Sequence, residues 1–282
     1  MEPFIGNEAV AAGRLRKHQL RANYRPVYPN VYVPVDTVMT LQQRATAAWL
    51  WSRRRAVVAG CTAAALHKTK WVDADGPVDL IYSCGRPPAG VVVHNAVLHP
   101  DEHSIVAGLP VTTPERTAFD LGRRGRVEDA VARLDALARA TGVKVDDVAA
   151  LAERHRGCRG LRQLEKVLPL VDAGAQSPRE TFLRLLLMKA GLPRPQTQIP
   201  AYADDGYPFA FLDMGWQDLL VAVEYDGDQH RVDRWQYVKD VHRIEELERR
   251  GWIVIRVLAE HRSADIVRRA RAACESRQAT LH

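Results

Sequence analysis

The 282-residue chain has little cysteine and no long hydrophobic run, and each absence excludes a class of protein. The cysteines have no CxxC spacing and no histidine pair nearby, so we expect reduced structural thiols rather than a zinc site. No apolar stretch approaches the ~20 residues that span a bilayer, so no membrane segment is predicted. The four cysteines are Cys61, Cys84, Cys158 and Cys274.

The amino terminus also lacks a secretory signal, because MEPFIGNEAVAAGRLRK has no basic segment ahead of an apolar core. Hydrophobic residues make up 46% of the chain and charged residues 26%, which is typical of a globular protein. We therefore expect a cytoplasmic protein.

Positive charge is concentrated at the amino-terminal end. Residues 1–60 hold nine basic and three acidic side chains, whereas the remaining 222 residues hold 31 of each. A cationic module on a neutral body favours a polyanionic partner such as DNA, because binding to phosphates releases counterions. The alternative is a solvated basic face with no ligand.

The length is about twice that of a common domain, so we expect two folded units. The turn-forming stretch VDAGAQSP, residues 171–178, is the predicted boundary. We assign residues 1–60 to a basic module, 61–172 to an α+β middle region and 177–278 to a second domain.

Two helices followed by a hairpin are predicted at the start of the chain. The helices cover Glu8 to Ala12 and Leu15 to Arg21, and alternating Val and Tyr follow around a Pro29-Asn30 turn. This order is typical of a winged helix-turn-helix, although the same residues could simply close a small core. The predicted DNA-binding residues are Arg14, Arg16, Lys17, Arg21 and Arg25.

The middle region contains three histidines close together, His94, His99 and His103. Their spacing does not place them on one helical face, and we interpret them as polar surface. Thr113 and Pro114 then predict a helix start, with Thr113 as the cap.

After residue 177 the predicted order is helix, three strands, helix, strand, helix, so the fold class is α/β, with a small α/β sandwich at the carboxyl-terminal end. One strand is expected to end at Asp213, and Glu224 and Asp226 share one face of the next strand. Repulsion among these three carboxylates favours a divalent cation, and oxygen-only ligands favour Mg²⁺ or Mn²⁺. Such a cation suits attack on a phosphodiester.

This array, with EYDGDQH and GWIVIRV after it, resembles the PD-(D/E)XK nuclease superfamily, in a branch similar to the very short patch repair endonuclease. The resemblance covers roughly residues 177–275 and implies a restriction-endonuclease-like fold that hydrolyses DNA. It implies that Asp213 and Glu224 bind the metal and that His230 lies beside the scissile phosphate, although Gln229 and His230 could instead cap the turn before them. Glu180 matches an acidic residue of the first helix.

The chain departs from that family at Asp226, where many members carry lysine. A carboxylate cannot stabilise negative charge on the phosphate, so Asp226 is either a third metal ligand or the mark of a binding-only domain. Glu180 has a second interpretation as well, since SPRE from Ser177 is a capping box.

The amino-terminal half resembles the winged-helix region of transcriptional antitoxins from abortive-infection systems, through GRLRKHQLRANYRPVYPNVYVP and LPVTTPERTAFDL. That resemblance implies DNA binding without catalysis. Three hypotheses result: a DNA endonuclease in repair or defence, a DNA-binding regulator whose inactive nuclease-like domain serves as a scaffold or homodimer interface, and a purely structural module.

Overall fold

The computed structural model describes residues 2–73, 75–226 and 234–281. The chain divides into two compact units, Met1–Pro169 and Leu170–His282. The described residues form helices and sheets in both units, which confirms the predicted α/β class.

The first unit begins with a small three-stranded sheet in the order β1-β3-β2. Asn30 turns the hairpin with a left-handed φ of 63°, which asparagine tolerates better than most residues. Its side chain makes two hydrogen bonds with Asn7, so the hairpin tip is fixed to α1. The elements are β1 (Phe4–Ile5), α1 (Gly6–Ala11), α2 (Lys17–Asn23), β2 (Tyr24–Tyr28) and β3 (Val31–Pro34).

A five-stranded mixed sheet forms the centre of the first unit, in the order β6-β5-β4-β8-β7. Its inner strands bury Val58, Leu80 and Val111 completely. The strand and helix bounds are α3 (Leu41–Trp51), β4 (Val57–Val58), α4 (Gly60–Leu66), β5 (Val78–Ile81), β6 (Val91–His94), β7 (His103–Val106) and β8 (Leu109–Thr112).

A series of helices follows that sheet in the first unit. Thr113 caps α5 as predicted, because its hydroxyl accepts the Arg116 N–H. The α6 helix is terminated by Gly142, the residue after its last turn, whose φ of 74° is the left-handed conformation that glycine adopts at little cost. The helices are α5 (Pro114–Gly122), α6 (Val127–Thr141), α7 (Val145–Arg154) and α8 (Leu161–Val167).

A buried ion network holds the start of α5 in place. Arg116 is 1% exposed and contacts both Glu102 and Asp120, which are also buried. It donates in addition to the Val97 carbonyl at 2.8 Å. Arg123 donates to the other oxygen of Asp120 at 2.7 Å. These alternating charges compensate one another within the interior.

The second unit is built on a four-stranded sheet in the order β12-β11-β10-β9. In this sheet β11 and β12 pair in parallel, whereas β10 pairs with both of its neighbours in antiparallel orientation. The first four residues of β11 are buried, so this strand is central. The elements are α9 (Pro178–Lys189), β9 (Gln196–Tyr202), β10 (Pro208–Trp216), β11 (Val221–Tyr225), α10 (Arg234–Arg249), β12 (Ile253–Val257) and α11 (Ser263–Leu281).

The expectation that a strand ends at Asp213 is wrong. The β10 strand continues to Trp216, because Met214, Gly215 and Trp216 pair with β11 and are buried. Asp213 therefore lies inside the strand, between residues that pair with neighbouring strands.

Replacing Arg116 tests the network. We expect Arg116→Met to lower the free energy of unfolding by about 3–5 kcal/mol, because two buried carboxylates lose their shared cation. The control Arg156→Met removes a pair with Glu153 whose side chains are both mostly exposed, and should change stability by less than about 1 kcal/mol. Denaturant unfolding measures both, and equal effects would contradict the assignment.

Candidate functional site

The charges of two acidic side chains of the second unit, Glu180 and Glu224, act on a third, Asp213. Asp213 Oδ2 accepts the Tyr225 N–H at 2.9 Å, which joins β10 to β11 beside Glu224. Glu180 comes from the first turn of α9 and is 7% exposed. In the sequence, Glu180 was connected with this site only through the family resemblance.

Ser177 caps the start of α9, and Glu180 is hydrogen-bonded within this cap. Ser177 Oγ accepts the Glu180 N–H at 3.3 Å and donates to the Glu180 carboxylate at 2.9 Å. The other carboxylate oxygen accepts the Gln176 N–H at 2.8 Å. The predicted cap at Ser177 is therefore confirmed, whereas the Glu180 carboxylate accepts the Gln176 N–H rather than the Ser177 N–H that a capping box requires. The cap does not remove Glu180 from the acidic cluster, since its charge still acts on Asp213.

Asp213 has the most perturbed carboxyl group of the cluster. Burial, and then the charges of Glu180 and Glu224, raise its pKa to about 7 against the opposing effects of the Tyr225 N–H and Arg243. An acid that titrates near neutrality in such surroundings is a common feature of functional sites. Asp213 can therefore gain or release a proton near neutral pH.

Glu224 has an arginine as its partner. Arg243 of α10 donates to its two carboxylate oxygens at 2.6 and 3.0 Å, and this hydrogen bonding raises the pKa of Arg243. Arg243 also lies 3.9 Å from Asp240, three residues before it on the same helix. The closer contact to Glu224 was missed, although Ala222 and Glu224 alternate onto one face of β11 and Ala222 packs with Leu247 of α10.

Asp226 pairs with Arg256 of β12. Its backbone N–H also donates to the Val257 carbonyl at 2.9 Å, which continues the pairing of β11 with β12. A guanidinium therefore lies next to the position where the nuclease family often carries lysine. Arg256 lies within GWIVIRV, but no pattern in the sequence assigned it a role.

The three predicted metal ligands do not lie close enough together to bind one ion as they stand. In the part of the chain that the structure describes, one group of three His, Cys, Asp or Glu residues has its ligand atoms within 4.8 Å of one another, and it consists of His99, Glu102 and His155. The three predicted carboxylates form no such set there, and arginines bind Glu224 and Asp226. Metal binding by Asp213, Glu224 and Asp226 stays a prediction, and His230 lies outside the described residues.

The predicted DNA-binding residues fall into two groups. Arg14, Arg16, Lys17 and Arg21 are exposed on α2 and the turn before it. Arg25 instead donates to the Val35 and Thr37 carbonyls at 3.3 and 2.8 Å. It anchors the chain after β3, a contact that no sequence pattern indicated.

Residues 42–172 match the family model of the AbiEi antitoxin C-terminal domain. The match includes LPVTTPERTAFDL and supports the resemblance to antitoxins. The resemblance of the second unit to the PD-(D/E)XK nucleases stays a prediction. The matched region contains the five-stranded sheet and the buried Arg116 network.

Two uncharacterized proteins of Mycobacterium tuberculosis, from strains CDC 1551 and H37Rv, are each 29% identical to the chain over 175 residues. That stretch is 62% of this chain and 64% of each relative, so the chain covers less than two thirds of their length. No solved structure matches the chain. Among the described residues, no helix has both the length and the apolar character to cross a membrane.

The titration of Asp213 predicts an effect on stability. Because its folded pKa of about 7 lies above its ordinary value of 3.8, ionisation costs the folded state stability as the pH rises between these values. Asp213→Asn removes that cost. It should therefore stabilise the protein at about pH 8 by on the order of 2 kcal/mol relative to its effect at about pH 5, after allowance for solvent screening.

Denaturant unfolding at the two pH values measures this difference. Asp218→Asn is the matched control, since Asp218 is an exposed carboxylate of the same unit. A difference for Asp213→Asn no larger than for the control would show that Asp213 ionises freely in the folded state.

Proposed function

We propose that the protein is a DNA-binding regulator of the antitoxin type, whose amino-terminal segment contacts DNA through α2. The observation that carries this proposal is the match to an antitoxin domain soon after an exposed basic helix. The matched domain is by its description the C-terminal part of an antitoxin, so another segment precedes it in such proteins.

The surface of α2 suits a polyanion. Leu20 is the buried residue of this helix, whereas the basic residues at its start are exposed. Gln19 accepts the Arg16 N–H at 2.9 Å and so fixes the first turn. The start of a recognition helix is also where such helices contact bases and phosphates.

The hairpin beside α2 supports the same proposal. In a winged helix the hairpin after the second helix touches the DNA backbone, and the β2–β3 hairpin follows α2 directly. Arg25 holds the chain beyond β3 through two backbone carbonyls, so it supports the shape of the wing. We assign the phosphate contacts to the other four basic residues.

Salt dependence tests the interface. Replacing Arg14, Arg16, Lys17 and Arg21 by Gln should weaken binding to a short mixed-sequence duplex. It should also flatten the slope of log K against log salt by about 0.9 for each phosphate that the variant no longer neutralises. Gel shifts or fluorescence anisotropy across a salt series measure the slope.

The matched control removes four other exposed charges of the same unit, Lys144, Arg156, Arg162 and Lys166, again by Gln. It should leave the slope nearly unchanged. An equal flattening in both variants would mean that DNA responds only to net charge, and no binding by the wild type would remove the proposal.

A second candidate function is metal-dependent hydrolysis of DNA by the second unit. The observation favouring it is Asp213, whose carboxyl is perturbed by two neighbouring acids and accepts a backbone N–H. The potential ligands of this cluster are all oxygens, as Mg²⁺ prefers. A cation shared with Glu224 would have to displace Arg243 from at least one oxygen.

Nicking of supercoiled plasmid with Mg²⁺ or Mn²⁺ decides this second candidate. If the site is catalytic, Asp213→Ala and Glu224→Ala should each reduce the rate by on the order of a hundredfold. Asp218→Ala, which changes an exposed carboxylate, should not. Equal activity in all variants would point to a contaminating nuclease. An inactive wild type would exclude the hydrolytic function and leave DNA-binding regulation as the proposed function.

A further inference from the structure

A second group of potential metal-ligating side chains lies in the first unit and includes no residue that was assigned to DNA binding or catalysis above. His99 precedes the short 3-10 turn Pro100–Glu102, Glu102 ends it, and His155 follows the last residue of α7. One potential ligand atom from each lies within 4.8 Å of the others. The sequence did not indicate this group, because His155 is 53 residues away from Glu102.

Glu102 is held in one orientation by the buried network. Its side chain is fully buried, and one carboxylate oxygen contacts Arg116. The turn itself is fixed by the Glu102 N–H donating to the His99 carbonyl at 3.0 Å, and by the Thr113 N–H donating to the Glu102 carbonyl at 2.9 Å. The second carboxylate oxygen is thereby directed at His155.

The His155 side chain is held by its contacts with Glu102 and with two neighbouring rings. Its Nε2 lies 2.7 Å from Glu102 Oε1, and its ring packs at 5.2 Å from Phe119 and 5.3 Å from His99. Arg116 contacts the other oxygen of this carboxylate, so the Glu102 carboxylate is the acceptor toward His155 and the Nε2 atom carries the hydrogen.

We propose that His99, Glu102 and His155 bind a divalent transition-metal ion of the Zn²⁺ type. Two imidazole nitrogens and one carboxylate oxygen are a donor set that Zn²⁺ accepts, with a fourth position left for water. Arg116 then contacts the carboxylate oxygen of Glu102 that does not bind the ion, and it orients the ligating carboxylate as outer-shell hydrogen bonds do in metal sites.

The ion would take the place of the hydrogen between His155 and Glu102. The neutral imidazole has one hydrogen, so this hydrogen leaves Nε2 and Nδ1 carries the N–H when Nε2 becomes a ligand. Arg154 lies 3.7 Å from Glu102 Oε1, but it is 42% exposed and makes two closer hydrogen bonds to Asp101, at 2.7 and 2.8 Å. His99 is only half-buried, which gives the ion a path from solvent.

A bound ion would join the turn before β7 to the end of α7. It binds the folded chain, so it raises the free energy of unfolding by mass action. Mg²⁺ would not substitute, because it prefers oxygen ligands and imidazole suits Zn²⁺. The site therefore differs in ion preference from the acidic cluster of the second unit.

The test uses the full chain freed of metal with a chelator. Isothermal titration with Zn²⁺ should show one strong site, Co²⁺ should give the visible absorption of a four-coordinate ion, and the thermal unfolding temperature should rise with Zn²⁺ but not with Mg²⁺. His99→Ala should weaken Zn²⁺ binding at least about tenfold.

His18→Ala is the matched control, since it removes an exposed histidine of α2 and should bind Zn²⁺ like the wild type. His155→Asn is a second variant in the site, and His99→Ala suffices if that buried change prevents folding. Absence of a strong Zn²⁺ site in the wild type, or unchanged affinity in His99→Ala, would overturn the proposal.

Discussion

A charged side chain that leaves water must meet an opposite charge, and both units of this protein are organised by how they satisfy that requirement. In the first unit Arg116 lies between Glu102 and Asp120, and the three side chains are almost completely buried. The position of α5, the turn before β7 and the orientation of Glu102 all depend on this one guanidinium.

The same requirement is met only in part in the second unit. Arg243 compensates Glu224 and Arg256 compensates Asp226, whereas Glu180 and Glu224 add negative charge around the half-buried Asp213. Burial, and then this excess of negative charge, raise the pKa of Asp213 to about 7, and protonation relieves both. A cation could relieve it as well, and the two arginines determine how many carboxylate oxygens such a cation could reach.

The exposed charge of the first unit has a different role. The basic residues at the start of α2 lie in solvent and add nothing to the core, so the fold does not require them there. Under the proposed function, this exposed cationic helix and the hairpin after it contact a polyanionic partner. Arg25, in contrast, donates to two backbone carbonyls and so stabilises the fold. The sequence does not distinguish it from the basic residues before it.

Local patterns in the sequence were sufficient for the α/β class, the two amino-terminal helices with the hairpin after them, the start of α5 at Thr113 and the order of elements in the second unit, because caps, turns and alternation are properties of neighbouring residues. They did not reveal β4, since two residues carry no periodicity, nor the extension of β10 past Asp213.

Which charges meet depends on the packing of distant elements: Arg243 with Glu224, Arg256 with Asp226, and His155 with Glu102. The members of each pair are between 19 and 53 residues apart. A side chain's electrostatic partner at such a separation leaves no mark in its own neighbourhood of the sequence, so these pairs could be recognised only once the chain was folded.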